Sequence, residues 1–292
     1  MMSRQQLWEL QYRQKRYMQT LDRPELDARF HDVLNNFSNI VGDGKIGLTG
    51  FDQPENPRLY WLETWTHVLH EYSLRGIGLP PFDRSKASLF GEPGYKYELA
   101  TCAIERVHAK RPYLAKFISH MFAREMFERG RILIRLASEF HNLELDVARR
   151  DNERDHSGSR IDFRDGRSNY LMYCMSMGLR PRLFADFKAD AAVIIRSPGQ
   201  FVERLIQASD ALPFETDGET GAVTYVDPLR DNPNRIRVGF SKRFSFAYQE
   251  EWRFIWRPRG NAVLGKEYFL ELGSLEDIAE LVMLEGTASP GE

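Results

Sequence analysis

The sequence predicts an α+β protein, with an N-terminal helical part followed by a mixed or antiparallel sheet and flanking helices. Two observations carry this expectation. Apolar positions recur at helical spacing up to about residue 110, whereas short apolar or alternating runs of strand length take over after Pro112. The expected division is therefore a helical region over 1–110 and an α+β domain over 111–292.

The elements follow in order. Residues 3–38 read as two helices. Leu7, Leu10, Tyr17 and Leu21 stripe the first, and Leu26, Phe30, Val33, Leu34 and Phe37 face inward on the second. Asp22-Arg-Pro-Glu supplies a start, with Asp22 capping and Pro24 in the first turn. A turn is expected at 41–45 and a loop at 50–57. A third helix over 58–74 carries Tyr60, Trp61, Trp65, Val68 and Leu69, an aromatic stripe suited to core packing or a partner surface. His67 and His70 lie beside it without acidic company, which argues against a metal site. Residues 76–94 are rich in Gly and Pro and read as a linker or long loop. Another helix is expected over 95–110.

Beyond Pro112, residues 113–119 read as a strand. Ser119 is placed to cap a helix over 120–129, and Gly130 suits a left-handed C-terminal residue. Residues 131–136 make the next strand. The polar stretch 142–167 reads as a solvated loop. Strands are expected at 170–177 and 191–196, and Ser197-Pro-Gly-Gln200 has the pattern of a capping box opening a helix to about residue 211. Further strands are expected at 221–226 and 268–272, a short helix from Gly273, and a last strand at 281–284.

Composition narrows the function classes. The chain has 292 residues, 42% hydrophobic and 28% charged, which suits an ordinary folded protein. Its formal net charge is −2, so no global field draws it to nucleic acid or to anionic lipid. The two cysteines, Cys102 and Cys174, sit in apolar contexts and read as reduced, buried thiols. With no apolar leader near residue 1 and no membrane-length apolar run, a cytoplasmic, non-membrane protein is expected.

The stretch from Phe244 to Arg257 is the densest in chemistry-bearing residues. Aromatics alternate there with Glu250, Glu251, Arg253 and Arg257. Read as extended from Glu250 onward, it places Glu251, Arg253 and Ile255 on one face and Glu250, Trp252, Phe254 and Trp256 on the other. The simplest reading is a core-edge strand whose Glu251 and Arg253 pair at the surface.

A resemblance adds a second reading. Lys116-Phe-Ile-Ser119, Phe127-Glu-Arg-Gly130 with 131–135, Cys174-Met-Ser176, Val223-Thr-Tyr225 and Tyr248-Gln-Glu-Glu-Trp-Arg253 occur in an order that resembles an uncharacterised bacterial family, known only as a domain of unknown function. The family's Asn-Asp-Pro-x-Glu is absent. That order is also similar to the ADP-ribosyltransferase layout, which has a His or Arg on the first strand, a Ser on a middle strand and a Gln/Glu-x-Glu ahead of the last. The resemblance implies NAD as substrate, Glu251 as catalytic acid, Gln249 as the residue orienting the acceptor, and Ser176 supporting the ribose or its loop. Lys116 stands where the layout has His or Arg, and Arg135 is the alternative phosphate contact, with Ser119 and Arg253 completing the cofactor side. It further implies a bacterial toxin or phage-defence effector, acting on a protein or nucleic-acid acceptor, with residues 1–110 available to a protein partner. Two other readings are open. One is a non-catalytic nucleotide- or protein-binding sensor in which Glu251 and Arg253 are a structural pair. The other is a metal-dependent nuclease using Asp151, Glu153 and Asp155.

Overall fold

A computed structural model describes residues 2–41, 45–48, 57–81, 97–141, 170–227, 229–231, 237, 239–260 and 262–284. Two helices open the chain with reciprocal caps. For α1 (Arg4–Lys15), Ser3 Oγ accepts from the Gln6 amide while Gln6 Oε1 accepts from Ser3 N. For α2 (Arg23–Phe37), Asp22 and Glu25 make the same exchange, so Asp22 caps as expected. The third, α3 (Pro57–Arg75), lies against both. Tyr12, Met18, Leu26, Phe30, Val33, Trp61, Val68 and Tyr72 form their shared core, which also takes in Phe244 from far along the chain. His67 and His70 are buried there and bond to Tyr17 and Arg13, which makes them packing residues. After α2 come two antiparallel strands, β1 (Ser38–Val41) and β2 (Lys45–Leu48); residues 42–44 of the expected turn lie outside the described residues.

The next helix, α4 (Tyr97–Glu105), packs through Ala100 against Phe117, Phe184 and Ala192 of the sheet region. Its Cys102 is exposed, a correction to the expectation of a buried thiol. The sheet has eight strands, and all its pairings are antiparallel. In chain order they are β3 (Leu114–Ile118), β4 (Arg131–Leu136), β5 (Leu171–Ser176), β6 (Ala191–Ile195), β7 (Thr216–Ala222), β10 (Glu251–Pro258), β11 (Glu267–Glu271) and β12 (Ala279–Met283). A separate parallel pair, β8 (Thr224–Val226) and β9 (Ser241–Arg243), lies beside them. The expected single strand over 221–226 is thus two, broken at Val223, whose amide turns to the Glu251 carbonyl at 2.9 Å.

Along one side, β5 pairs with β10. Along the other it pairs with β4 at Leu171 and Met172 but with β3 at Ser176. The two strands on that side therefore diverge and leave a split beside Tyr173–Met175. The link between them is α5 (His120–Arg124), continued by a π-helical turn (Glu125–Arg129) and closed by Gly130 at φ 67°. A Cβ on Gly130 would fall 1.9 Å from the Gly273 carbonyl oxygen, so only glycine fits this close approach.

Two capping expectations are corrected. Ser119 sits at the N-cap of α5 but makes no side-chain cap bond; Asp190 takes the His120 amide instead, at 2.5 Å. Ser197 precedes α7 (Pro198–Ser209) with Pro198 in the first turn, yet the capping box does not form. Between β5 and β6 lies α6 (Arg182–Asp186). The expected helix from Gly273 is a run of turns, with Gly273 itself left-handed and Ile278 N bonding to Leu275 O. Both faces of the sheet are covered. Tyr173, Met175, Phe254 and Trp256 pack with Phe201 and Leu205 of α7, while Met172 and Ile255 on the other face pack with Ala137 and Phe240. No helix among the described residues is long and apolar enough to cross a membrane.

Candidate functional site

The aromatic stretch is not extended throughout. Phe244–Gln249 is a 3-10 helix, Glu250 turns left-handed at φ 47°, and the strand begins at Glu251. Tertiary packing overrides the strand preference of these aromatics. The Phe244 ring is stacked on Trp61 at 5.8 Å with the Arg29 guanidinium 4.2 Å from its centroid, and that anchor pulls the segment toward the helices. From Glu251 onward the expected alternation holds. Glu251, Arg253 and Ile255 register with Ser176, Cys174 and Met172, and Trp252, Phe254 and Trp256 lie on the opposite face. Glu250 does not join the aromatics; its carboxylate is held by Arg180 at 3.0 Å and Arg111 at 3.5 Å.

The split in the sheet opens into a cavity of about 480 Å³, within the range of roughly 300–1,000 Å³ typical of small-molecule sites. Lys116 and Ser119 reach it from β3 and its end, Arg131 and Arg135 from β4, Cys174 and Ser176 from β5, and Glu251 and Arg253 from β10. Gln249 and Lys242 close one end, and Phe122, Phe140, Phe187 and Phe269 supply apolar wall. The residues that the transferase layout picks out, Lys116, Ser119, Arg135, Ser176, Gln249, Glu251 and Arg253, therefore line one cavity. Its charged lining is Lys116, Arg131, Arg135, Lys188, Lys242 and Arg253 against Glu125 and Glu251. That cationic excess, in a chain of net charge −2, suits an anionic ligand.

Individual geometries assign more definite roles. Glu251 is 6% exposed, so the expected surface pair with Arg253 is in fact buried. Its Oε1 accepts from Arg253 Nε at 2.6 Å and its Oε2 from Lys242 Nζ at 2.9 Å. Burial alone would raise its pKa, but Arg253 and then Lys242 outweigh that and hold it well below the usual carboxylate range, so the group is ionised at neutral pH. Lys242 Nζ also donates to Gln249 Oε1 at 3.0 Å, fixing the two residues relative to each other. The Cys174 thiol is pushed up by burial and by the adjacent Glu251 charge, which makes it a poor nucleophile.

Ser176 is committed to structure: its hydroxyl donates to the Gln249 carbonyl at 2.6 Å and accepts the Gly178 amide at 3.1 Å, tying the end of β5 to the turn before β10. Lys116 donates to the Cys174 carbonyl at 2.6 Å, with its ammonium 4.4 Å from the Tyr173 ring centroid. It takes the place of a strand amide at the split. Among the described residues Arg135 has a long contact to Glu267, 3.6 Å, with both groups near half-exposed. Sequence reasoning missed Lys242, Arg131 and Lys188. For Lys242 a signal existed: a lone lysine set among Phe240, Phe244 and Phe246. Asp151, Glu153 and Asp155, the nuclease candidates, lie outside the described residues, and no cluster of metal-binding side chains occurs among those described. Comparison of the chain with family models, curated proteins and solved structures gives no match.

Proposed function

We propose that the cavity binds NAD and that the protein is an ADP-ribosyl- or glycosyl-transferring enzyme acting on that substrate. The supporting observation is the meeting of Lys116, Arg135, Ser176, Gln249 and Glu251 in one cationic cavity of about 480 Å³. In the reaction the nicotinamide–ribose bond breaks and its electron pair leaves with the nicotinamide ring nitrogen. A nucleophile on the acceptor then attacks the ribose anomeric carbon and releases its proton. The intervening sugar is oxocarbenium-like, and Glu251 is the cavity's ionised acid suited to bind a ribose hydroxyl and face that charge. Two of its lone-pair directions are used by Arg253 and Lys242, and a carboxylate has others to offer. Gln249, held by Lys242, orients the acceptor. Arg135 and Arg131, in long and exposed ion pairs, exchange those partners for phosphate.

A second reading is favoured by a specific observation. Two cations beside Glu251 oppose positive charge developing on a neighbouring sugar, which suits a cleft that binds a nucleotide without turning it over. Nicotinamide release separates the two. Wild type incubated with NAD should release nicotinamide, and Glu251→Gln should lower the rate by about 100-fold or more at retained NAD binding. Saturable NAD binding without release by the folded wild type selects the sensor reading. Neither binding nor release rejects both.

A further inference from the structure

We infer that Asn36, in the last turn of α2, is a positioning residue for the Gln249–Glu251 turn, so that the helical region is a working part of the candidate site. The inference rests on the transferase reading for its functional consequence, while its geometric basis stands apart from it. Asn36 is 1% exposed and more than 200 residues from the turn in sequence. Its Nδ2 donates to the Phe244 carbonyl at 3.0 Å, and its Oδ1 accepts the Tyr248 amide at 2.9 Å. One carboxamide thus bridges both ends of the 3-10 helix that delivers Gln249. The second Nδ2 hydrogen goes to the Asp32 carbonyl, at 2.9 Å, which fixes the amide plane to its own helix.

The turn needs such a splint. Glu250 is left-handed without being glycine, a conformation that costs energy and persists only when its surroundings hold it. Its backbone carbonyl accepts the Met177 amide at 2.7 Å, but that bond and the Ser176 bond to Gln249 O both come from the sheet side. Asn36 supplies the opposing hold. If it let go, the 3-10 helix could rotate, and Gln249 and Glu251 would move relative to Lys242. A displacement of about 1 Å at reacting groups can cost on the order of 100-fold in rate.

The experiment compares wild type with Asn36→Asp, which keeps the acceptor for Tyr248 N but turns the donor toward Phe244 O into a repelling oxygen. Asn36→Ala carries the test if Asn36→Asp does not fold. Tyr12→Phe is the control, since it removes a buried hydrogen bond of the helical core, to Glu71, in which no residue of the turn takes part. Hydrogen exchange of the peptide covering 244–251 should be about 10-fold faster in the Asn36 variant and unchanged in Tyr12→Phe. In nicotinamide release, kcat should fall about 30-fold with KM for NAD within about 3-fold, again only in the Asn36 variant. Unchanged exchange overturns the inference whatever the activity does. Faster exchange with unchanged kcat in an active enzyme overturns the positioning role. If wild type releases no nicotinamide, it is the transferase reading that fails, and the inference stands or falls on exchange alone.

Discussion

Two buried carboxylates in this molecule are each held by two cations and lie in different surroundings. In the helical region Glu71 is fully buried and accepts from Tyr12 Oη at 2.6 Å, Arg16 Nε at 3.0 Å and Arg75 Nε at 2.6 Å. In the sheet region Glu251 accepts from Arg253 and Lys242. Burial would raise both pKa values, and the partners pull both down. Glu71, however, lies where α1 and α3 meet, and Arg75 continues from it to the Met18 and Leu21 carbonyls, closing a loop. Glu251 faces the cavity left by the split between β3 and β4. A carboxylate between two cations is therefore not a functional signature in itself. What distinguishes the two is whether lone pairs remain that a ligand can reach.

The strongest way to break this contrast is paired substitution. Glu251→Gln should cost about 3 kcal/mol of stability in denaturant unfolding, because it strands two buried cations, and Glu71→Gln should cost less, because Arg16 is partly exposed and turns to solvent. Only Glu251→Gln should also lower the rate of nicotinamide release by about 100-fold or more. Glu71→Gln should leave the NAD dissociation constant within about 2-fold. An affinity loss of about 10-fold in Glu71→Gln would mean that the helical carboxylate is coupled to the cleft and the distinction is false.

Acid should separate the two regions as well. His67 packs against Tyr12, 5.1 Å between ring centroids, and its pKa is pushed down from 6.5 to about 4, chiefly by burial and then by Arg230. The folded state therefore keeps His67 neutral after the unfolded chain has begun to bind its proton. Stability from this residue is whole above about pH 6.5, is lost as pH falls toward 4, and changes no further below that. The loss amounts to about 3 kcal/mol. In the folded state Glu251 stays ionised through this window, and its contribution is lost progressively from the ordinary carboxylate range downward, as the unfolded chain takes up the proton that the folded state refuses. Unfolding curves at pH 7 and pH 4.5 should diverge in wild type and diverge less in His67→Gln, where His70, also pushed down by burial, still contributes. An unchanged divergence in that variant would place the acid-sensitive group elsewhere.

The sequence made the fold legible where local chemistry and tertiary packing agree. Gly130, left-handed after a helix, and the alternation from Glu251 to Trp256 could both be read from spacing. Ser119 and Ser197 misled because a capping residue type is only an offer: Asp190, 70 residues from His120, takes the amide that Ser119 was expected to hold. The 3-10 turn at Phe244–Gln249 was not legible, since its cause is Trp61, Arg29 and Asn36 from the other end of the chain. Lys242 had a local signal in its aromatic neighbours Phe240, Phe244 and Phe246, but its role did not show: Gln249 and Glu251 lie within nine residues of it and reach it only because the chain between them folds as a 3-10 turn. Lys116 shows the reverse case: its position was read correctly, but its role as a stand-in strand donor depends on a split that no periodicity reveals.

The smallest effect sharpens the contrast from the cation side. Arg16 and Arg75 have close bonds to Glu71, a fully buried carboxylate between α1 and α3, and Arg253 is fully buried on Glu251. Arg135 differs: Glu267 is 3.6 Å away and both side chains are about half-exposed, so that pair is worth about 0–1 kcal/mol and is readily exchanged. If phosphate binds here, Arg135→Ala should raise the NAD dissociation constant about 5-fold at low salt without altering kcat or stability. Because the contact is solvent-exposed, the difference between variant and wild type should shrink as ionic strength rises from about 0.05 M to about 0.5 M. An affinity unchanged at low salt would place the phosphates nearer Arg131 and Lys188, at the α5 end of the cavity. A salt-independent loss would instead show Arg135 to be buried by the ligand, making it a closer counterpart of Arg253 than its exposure suggests.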